Sequence, residues 1–184
     1  LLLATVVGAI AGLALWNFFG TRRKRVVRDL QIRAGCDRVR GQGSILVVIP
    51  SFRDDRAGVT VFDAFQKAAC PWRVTVAVYQ ELEEGDADAL DTYYRLVRSQ
   101  GVRDFRDKLR VRTLDSAQTT SAGSLACVRE AVEQMGQDER FVLIAGPGVA
   151  LARGWDEIAV KEWEAARSAT HVSDPVVTHH PARI

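Results

Sequence analysis

The chain has 184 residues, of which 47% are hydrophobic and 26% charged, and its formal net charge is +2. This is the composition of a globular protein rather than a disordered one, and the length suits a single core. A charge so close to zero argues against the strongly basic patch of a nucleic-acid binder, so no nucleic-acid partner is expected.

The basic residues are mostly arginine, because only Lys24, Lys67, Lys108 and Lys161 are lysines; codon composition accounts for such a bias. Cys36, Cys70 and Cys127 are widely spaced, with no Cys-x-x-Cys and no histidine beside them. Neither a disulfide framework nor a zinc site is expected from them, and an odd count favours a reducing compartment. Cys127 falls in an apolar helical pattern and reads as a small core residue.

Residues 1–20 (LLLATVVGAIAGLALWNFFG) carry no charge, and their only polar side chains are Thr5 and Asn17. About 20 apolar residues span a bilayer as a helix, so a single-pass anchor is predicted here. Ala4, Gly8 and Gly12 form a small-residue stripe on which other membrane-protein subunits would pack, and Trp16, Phe18 and Phe19 suit the interface. The basic run Thr21-Arg22-Arg23-Lys24-Arg25 follows the span; a cleaved signal would carry its charges ahead of the apolar core instead. Basic residues beside a span stay on the cytosolic or matrix side. Residues 21–43 then read as a basic stem near anionic headgroups, ending in the linker Gly41-Gln42-Gly43.

From residue 44 to 184 the pattern alternates strand and helix. Residues 44–50 (SILVVIP) form a continuous apolar run, as in a strand covered on both faces. Phe62, Phe65 and Ala69 mark a helix over 60–69. Val74, Val76 and Val78 alternate with polar or small residues over 72–79, a strand. Leu90, Tyr93, Tyr94 and Val97 predict a helix over 86–99, with an acidic first turn that suits its dipole. Residues 109–113 alternate again. A helix over 124–135 follows through Leu125, Val128, Val132 and Met135, with Ser121 or Ser124 as N-cap. Residues 141–145 read as a buried fourth strand, 156–167 as a helix, and 175–178 as the start of a fifth strand. The expected fold is α/β, a mostly parallel sheet with flanking helices. With no closing helix after that last strand, the domain is expected to be incomplete at its C-terminus.

Ligands in such a sheet bind outside the carboxyl ends of the strands. Three of these ends draw attention. After the first strand, Arg53 offers a planar fork for phosphate or carboxylate, and Asp54 an acceptor; the same residues also make an ordinary surface ion pair. Residues 115–124 (DSAQTTSAGS) precede a helix and have the small residues of an anion cradle, or simply of a cap. After the fourth strand comes Gly146-Pro147-Gly148, with no carboxylate, histidine or thiol.

These pieces, in this order, resemble the GT-A-fold glycosyltransferases that attach N-acetylglucosamine to polypeptide hydroxyls. The resemblance covers residues 44–178. It rests on Ile49-Pro50-Ser51-Phe52-Arg53-Asp54, on 60–69 followed by Pro71, and on 74–80. It continues through Asp115-Ser116-Ala117, Gly154-Trp155-Asp156 with Trp163, and Val177-Thr178-His179-His180-Pro181. It implies a nucleotide-sugar site, with Ser51, Arg53, Asp54 and Asp115 towards uridine diphosphate. Arg129 stands one residue away from the family's phosphate-contacting arginine, and one residue on a helix turns a side chain by about 100 degrees. The family's Asp-x-His metal motif falls at Ala145, Gly146 and Pro147 or one residue later, where neither register supplies a ligand. Asp54, Asp55 or His179 would need a different geometry to substitute. Adjacent His179 and His180 on a strand would face opposite sides, and His171, His179 and His180 read as surface residues.

The resulting expectation is a membrane-anchored, glycosyltransferase-like pseudoenzyme, an accessory subunit of a membrane complex, with no cofactor. The alternatives are an active transferase using UDP-N-acetylglucosamine and Mn2+, or a nucleotide-sugar sensor. The basic stem favours the inner mitochondrial membrane over the Golgi.

Overall fold

The computed structural model describes residues 30, 34–37, 39, 41–115 and 125–178, and of residues 115 and 125–127 the backbone alone. The predicted span at 1–20, its Ala4, Gly8 and Gly12 stripe, and His179 and His180 lie outside the described residues. Among the described residues, no helix is long and apolar enough to cross a membrane.

The fold is α/β. Strands β1 (Ile45–Phe52), β2 (Val74–Leu82), β3 (Leu109–Asp115) and β4 (Phe141–Ile144) form one sheet in the order β3-β2-β1-β4. Every pairing is parallel. Helices α1 (Ala57–Lys67), α2 (Ala89–Gln100), α3 (Leu125–Met135) and α4 (Trp155–Thr170) connect or follow the strands.

The two central strands are covered on both sides, which is why β1 and β2 read as near-continuous apolar runs. Ile45, Val47 and Ile49 of β1 and Val74, Val76 and Val78 of β2 pack with α1, α2 and the start of α4. Leu46, Val48, Ala77 and Tyr79 face the other way, against Ala131 and Met135 of α3. Strand β3 splits by the same alternation: Leu109 and Val111 join the first cluster and Leu114 the second.

The helix ends follow from local chemistry. Asp88 caps α2 by accepting from the Leu90 N–H at 2.6 Å, and Gly101 closes it with φ 59°. At α1 the chain turns on Asp54, whose Oδ1 accepts from the Arg56 N–H at 2.9 Å. Extended Ala68 and then Pro71 end that helix.

Three expectations need correction. Residues 175–178 are not a strand but irregular chain, and Val176 is 88% exposed. Strand β4 is not buried on both faces: it is a sheet edge, and while Phe141 and Leu143 pack inwards, Val142 and Ile144 are 49% and 55% exposed. Among the described residues, helix α3 covers β1 and β2 but not that part of the sheet. Cys36 and Cys70, expected to be free, form a disulfide. Residues 34–37 make a helical turn against the loop after α1, where a Cβ on Gly35 would run into the Ala69 carbonyl. Spacing along the chain does not report this closeness.

Candidate functional site at the strand carboxyl ends

Parallel pairing brings the segments after all four strands to one end of the sheet. The point where β1 has neighbours running from it in both directions is the crevice expected to hold a ligand in a doubly wound sheet. Of the residues singled out, Ser51, Arg53 and Asp54 border it, beside Gly146, Pro147 and Gly148. Asp115 ends β3 at the same edge, but its side chain lies outside the described residues.

Ser51 is buried, its Oγ donating to the Asp54 carbonyl at 3.4 Å. Arg53 has φ 49°, in the left-handed region that non-glycine residues seldom occupy. Contacts to three residues hold it there. Its N–H donates to the Glu81 carbonyl at 3.0 Å, Nε donates to Asp86 Oδ2 at 2.9 Å, and Nη1 lies 2.6 Å from Glu83 Oε2. Asp54 binds its own neighbour: Arg56 Nε and Nη2 donate to its two oxygens at 2.9 and 2.6 Å. The hydrogen bond from Arg56 holds the Asp54 carboxyl below the ordinary aspartate range. For Asp86 the shift is also downward, first through the backbone N–H of Glu83 and then through Arg53.

The β4 turn is built around Gly148, at φ 76°. The Arg56 guanidinium lies so close that a Cβ there would meet its Cδ and Nε at 3.2 Å. Thr60 Oγ1 donates to the Gly146 carbonyl at 3.4 Å, tying the turn to α1. Ala145 is buried, and Gly146 and Pro147 have no donor side chain. An oxygen-seeking divalent ion on a diphosphate takes at least one protein carboxylate, so the residues at this turn do not fit one. Arg129 is exposed on α3 and pairs with Glu133 at 2.8 Å.

One carboxylate escaped the sequence reading, and a second, Asp156, was read there only as part of the Gly-Trp-Asp element. Glu81 lies at the carboxyl end of β2 and is wholly buried; among the described residues neither of its side-chain oxygens has a hydrogen-bond partner. Burial raises its pKa. Carrying the alternation of Ala77 and Tyr79 two residues further would have placed Glu81 on the α3 side, but the strand was taken to stop at Tyr79. Asp156, also fully buried, accepts from the Ala69 and Cys70 N–H groups at 2.6 and 3.1 Å and from Arg73 Nε at 3.0 Å. Arg73 Nη2 donates to the Asp156 carbonyl at 2.6 Å, and Trp155 Nε1 to the Ala64 carbonyl at 3.0 Å. Gly-Trp-Asp is thus a structural lock between α4 and the loop after α1.

Comparison with protein-family models, curated proteins and solved structures finds no match.

Among the described residues, no group of three or more His, Cys, Asp and Glu side chains is placed to hold a metal ion. The charge balance of the crevice is acidic. Segments 53–56 and 83–88 carry Arg53 and Arg56 against Asp54, Asp55, Glu83, Glu84, Asp86 and Asp88. Such a rim repels a diphosphate and attracts cations.

Proposed function

We propose that this chain is a glycosyltransferase-like domain of GT-A type that does not catalyse sugar transfer and serves as an accessory subunit of a membrane complex. The reading joins the sequence resemblance to the chemistry of the crevice. The observation that carries it is the pairing of Arg53 with Asp86 and Glu83, and of Arg56 with Asp54. The cations that would meet a nucleotide diphosphate are already neutralised by the chain itself.

Transfer from a nucleotide sugar leaves a diphosphate whose developing charge needs stabilising. The β4 turn supplies no ligand for the Mn2+ that would do this in the resembled family, and the acidic rim opposes the anion. Fold and site are separate demands, so the frame persists without the chemistry. Anchoring would come from residues 1–20, and association from Ala4, Gly8 and Gly12. The Cys36–Cys70 disulfide counts against the reducing cytosolic or matrix side, and so against the inner-membrane placement with the domain in the matrix. An oxidising lumen fits it better.

The test is incubation of the full chain with UDP-N-acetylglucosamine and Mn2+, following both binding by calorimetry and UDP release. No saturable binding and no turnover are expected. Mn2+-dependent turnover overturns the reading; tight binding without turnover replaces it with the nucleotide-sugar sensor.

A further inference from the structure

We propose that Glu81 and Phe52 form a binding site for a cationic nitrogen group, an ammonium or a guanidinium. The proposal does not depend on whether the domain is catalytic.

Glu81 and Phe52 are register partners across the parallel β1–β2 pair. Register partners in this sheet share a face: Val48 and Ala77, also partners, both lie against α3. The Glu81 carboxylate and the Phe52 ring are therefore neighbours on the α3 side of the carboxyl ends. Glu81 has no solvent exposure, whereas Phe52 is 57% exposed, an aromatic residue open to solvent at the end of a buried strand.

A buried carboxylate with two unmatched oxygens is costly to keep. Among the described residues, its neighbours on that face do not relieve the cost. Leu114, its partner on β3, is apolar. Arg112, one step deeper, has its guanidinium 5.7 Å from the Tyr79 ring centre and 3.6 Å from Glu130 Oε1. Tyr79 in turn donates to Glu130 Oε2 at 3.1 Å. The nearby cation and hydroxyl are thus committed to Glu130.

A cationic nitrogen supplies what Glu81 lacks, N–H donors together with a compensating charge. An aromatic face beside a carboxylate also suits such a group, since the ring quadrupole attracts cations. The rim, where Asp54, Asp55, Glu83, Glu84, Asp86 and Asp88 outnumber Arg53 and Arg56, adds the right sign of field. Phe52 is the solvent-exposed member of the pair, and a cation would enter past it.

A free amine and a basic side chain of a partner protein share this chemistry, and titration calorimetry of the full chain separates them. The probes are butylammonium, methylguanidinium and a tri-lysine peptide at neutral pH, with butan-1-ol as the uncharged control. Saturable binding of the small cations identifies a free-amine site. Saturation by the peptide alone identifies a partner's side chain. Either result supports the proposal, provided that Glu81→Gln weakens binding by about tenfold or more and Phe52→Ala weakens it as well. The Glu81 carboxyl carbon signal in the unsubstituted protein is the second readout, expected to shift on adding butylammonium, and it stands even where a variant folds poorly. No saturation by any cation, equal binding of butan-1-ol, undiminished binding to Glu81→Gln, or an unmoved Glu81 signal overturns the site. So does cation binding that appears only after Arg112→Ala, which would make Arg112 the resident partner.

Discussion

Asp156 and Glu81 are both carboxylates without solvent exposure, and their surroundings give them opposite effects on stability. Asp156 is matched by two backbone N–H groups and the Arg73 guanidinium, so removing it strands buried donors and a charge. Asp156→Ala is expected to cost about 3–5 kcal/mol, the usual loss when one partner of a buried pair is deleted, read as a fall in the urea midpoint. Among the described residues nothing matches Glu81, and burial raises its pKa. The folded state therefore holds the Glu81 proton more tightly than the unfolded chain does. That contribution is complete below the ordinary glutamate range and is lost as pH rises through the raised folded value. Glu81→Gln, which cannot ionise, should raise the melting temperature at neutral pH and remove this part of the pH dependence. An unchanged profile between pH 4 and 8, scanned by calorimetry in steps of about one unit, would mean that Glu81 does not titrate differently on folding.

Among the elements, β4 with its turn shows how little separates a scaffold from a site. The strand pairs with β1 from Phe141 to Ile144 and hands the chain to a turn that needs glycine twice over. Gly148 has a positive φ, and its bare Cα lets the Arg56 side chain lie against the turn. Gly148→Ala violates both demands at once. The left-handed backbone alone costs about 1–2 kcal/mol for an L-residue, and the added methyl also pushes Arg56 off its seat. The check is the denaturation midpoint together with the Arg56 Nε–H signal, which should move. The two sheet edges differ in a related way. Strand β3 puts Arg110 and Arg112 on its α3 side, and charge discourages edge pairing there. Strand β4 carries only Phe141, Val142, Leu143 and Ile144, and its bare residues leave apolar surface at that edge.

For the whole molecule, the disulfide joins the turn at 34–37 to the loop that Asp156 also holds, so stem, α1 and α4 meet at residues 68–73. Cys36 and Cys70 are 34 positions apart, and closing a loop of that size restricts the unfolded chain by about 3–4 kcal/mol. Reduction, or Cys70→Ser, should lower the urea midpoint by a matching amount; an unchanged midpoint would mean that the pair does not constrain the unfolded chain. The order and kind of the elements were legible in the chain itself, because hydrophobic period is a local property. The runs 44–50 and 72–79, the helix patterns and the parallel α/β class all followed from it. The absence of ligand side chains at Gly146-Pro147-Gly148 was legible too, being a matter of residue identity. Contacts between distant residues were not. Pairing of Cys36 with Cys70, capture of Asp156 by Ala69, Cys70 and Arg73, and neutralisation of Arg53 by Asp86 each join segments that sequence spacing does not relate. Exposure of Val142 and Ile144 depends equally on which helix covers which strand. Periodicity tells a residue which side of its own element it occupies, but only the packing of several elements decides what stands opposite it, and with that whether a carboxylate is matched, free or buried alone.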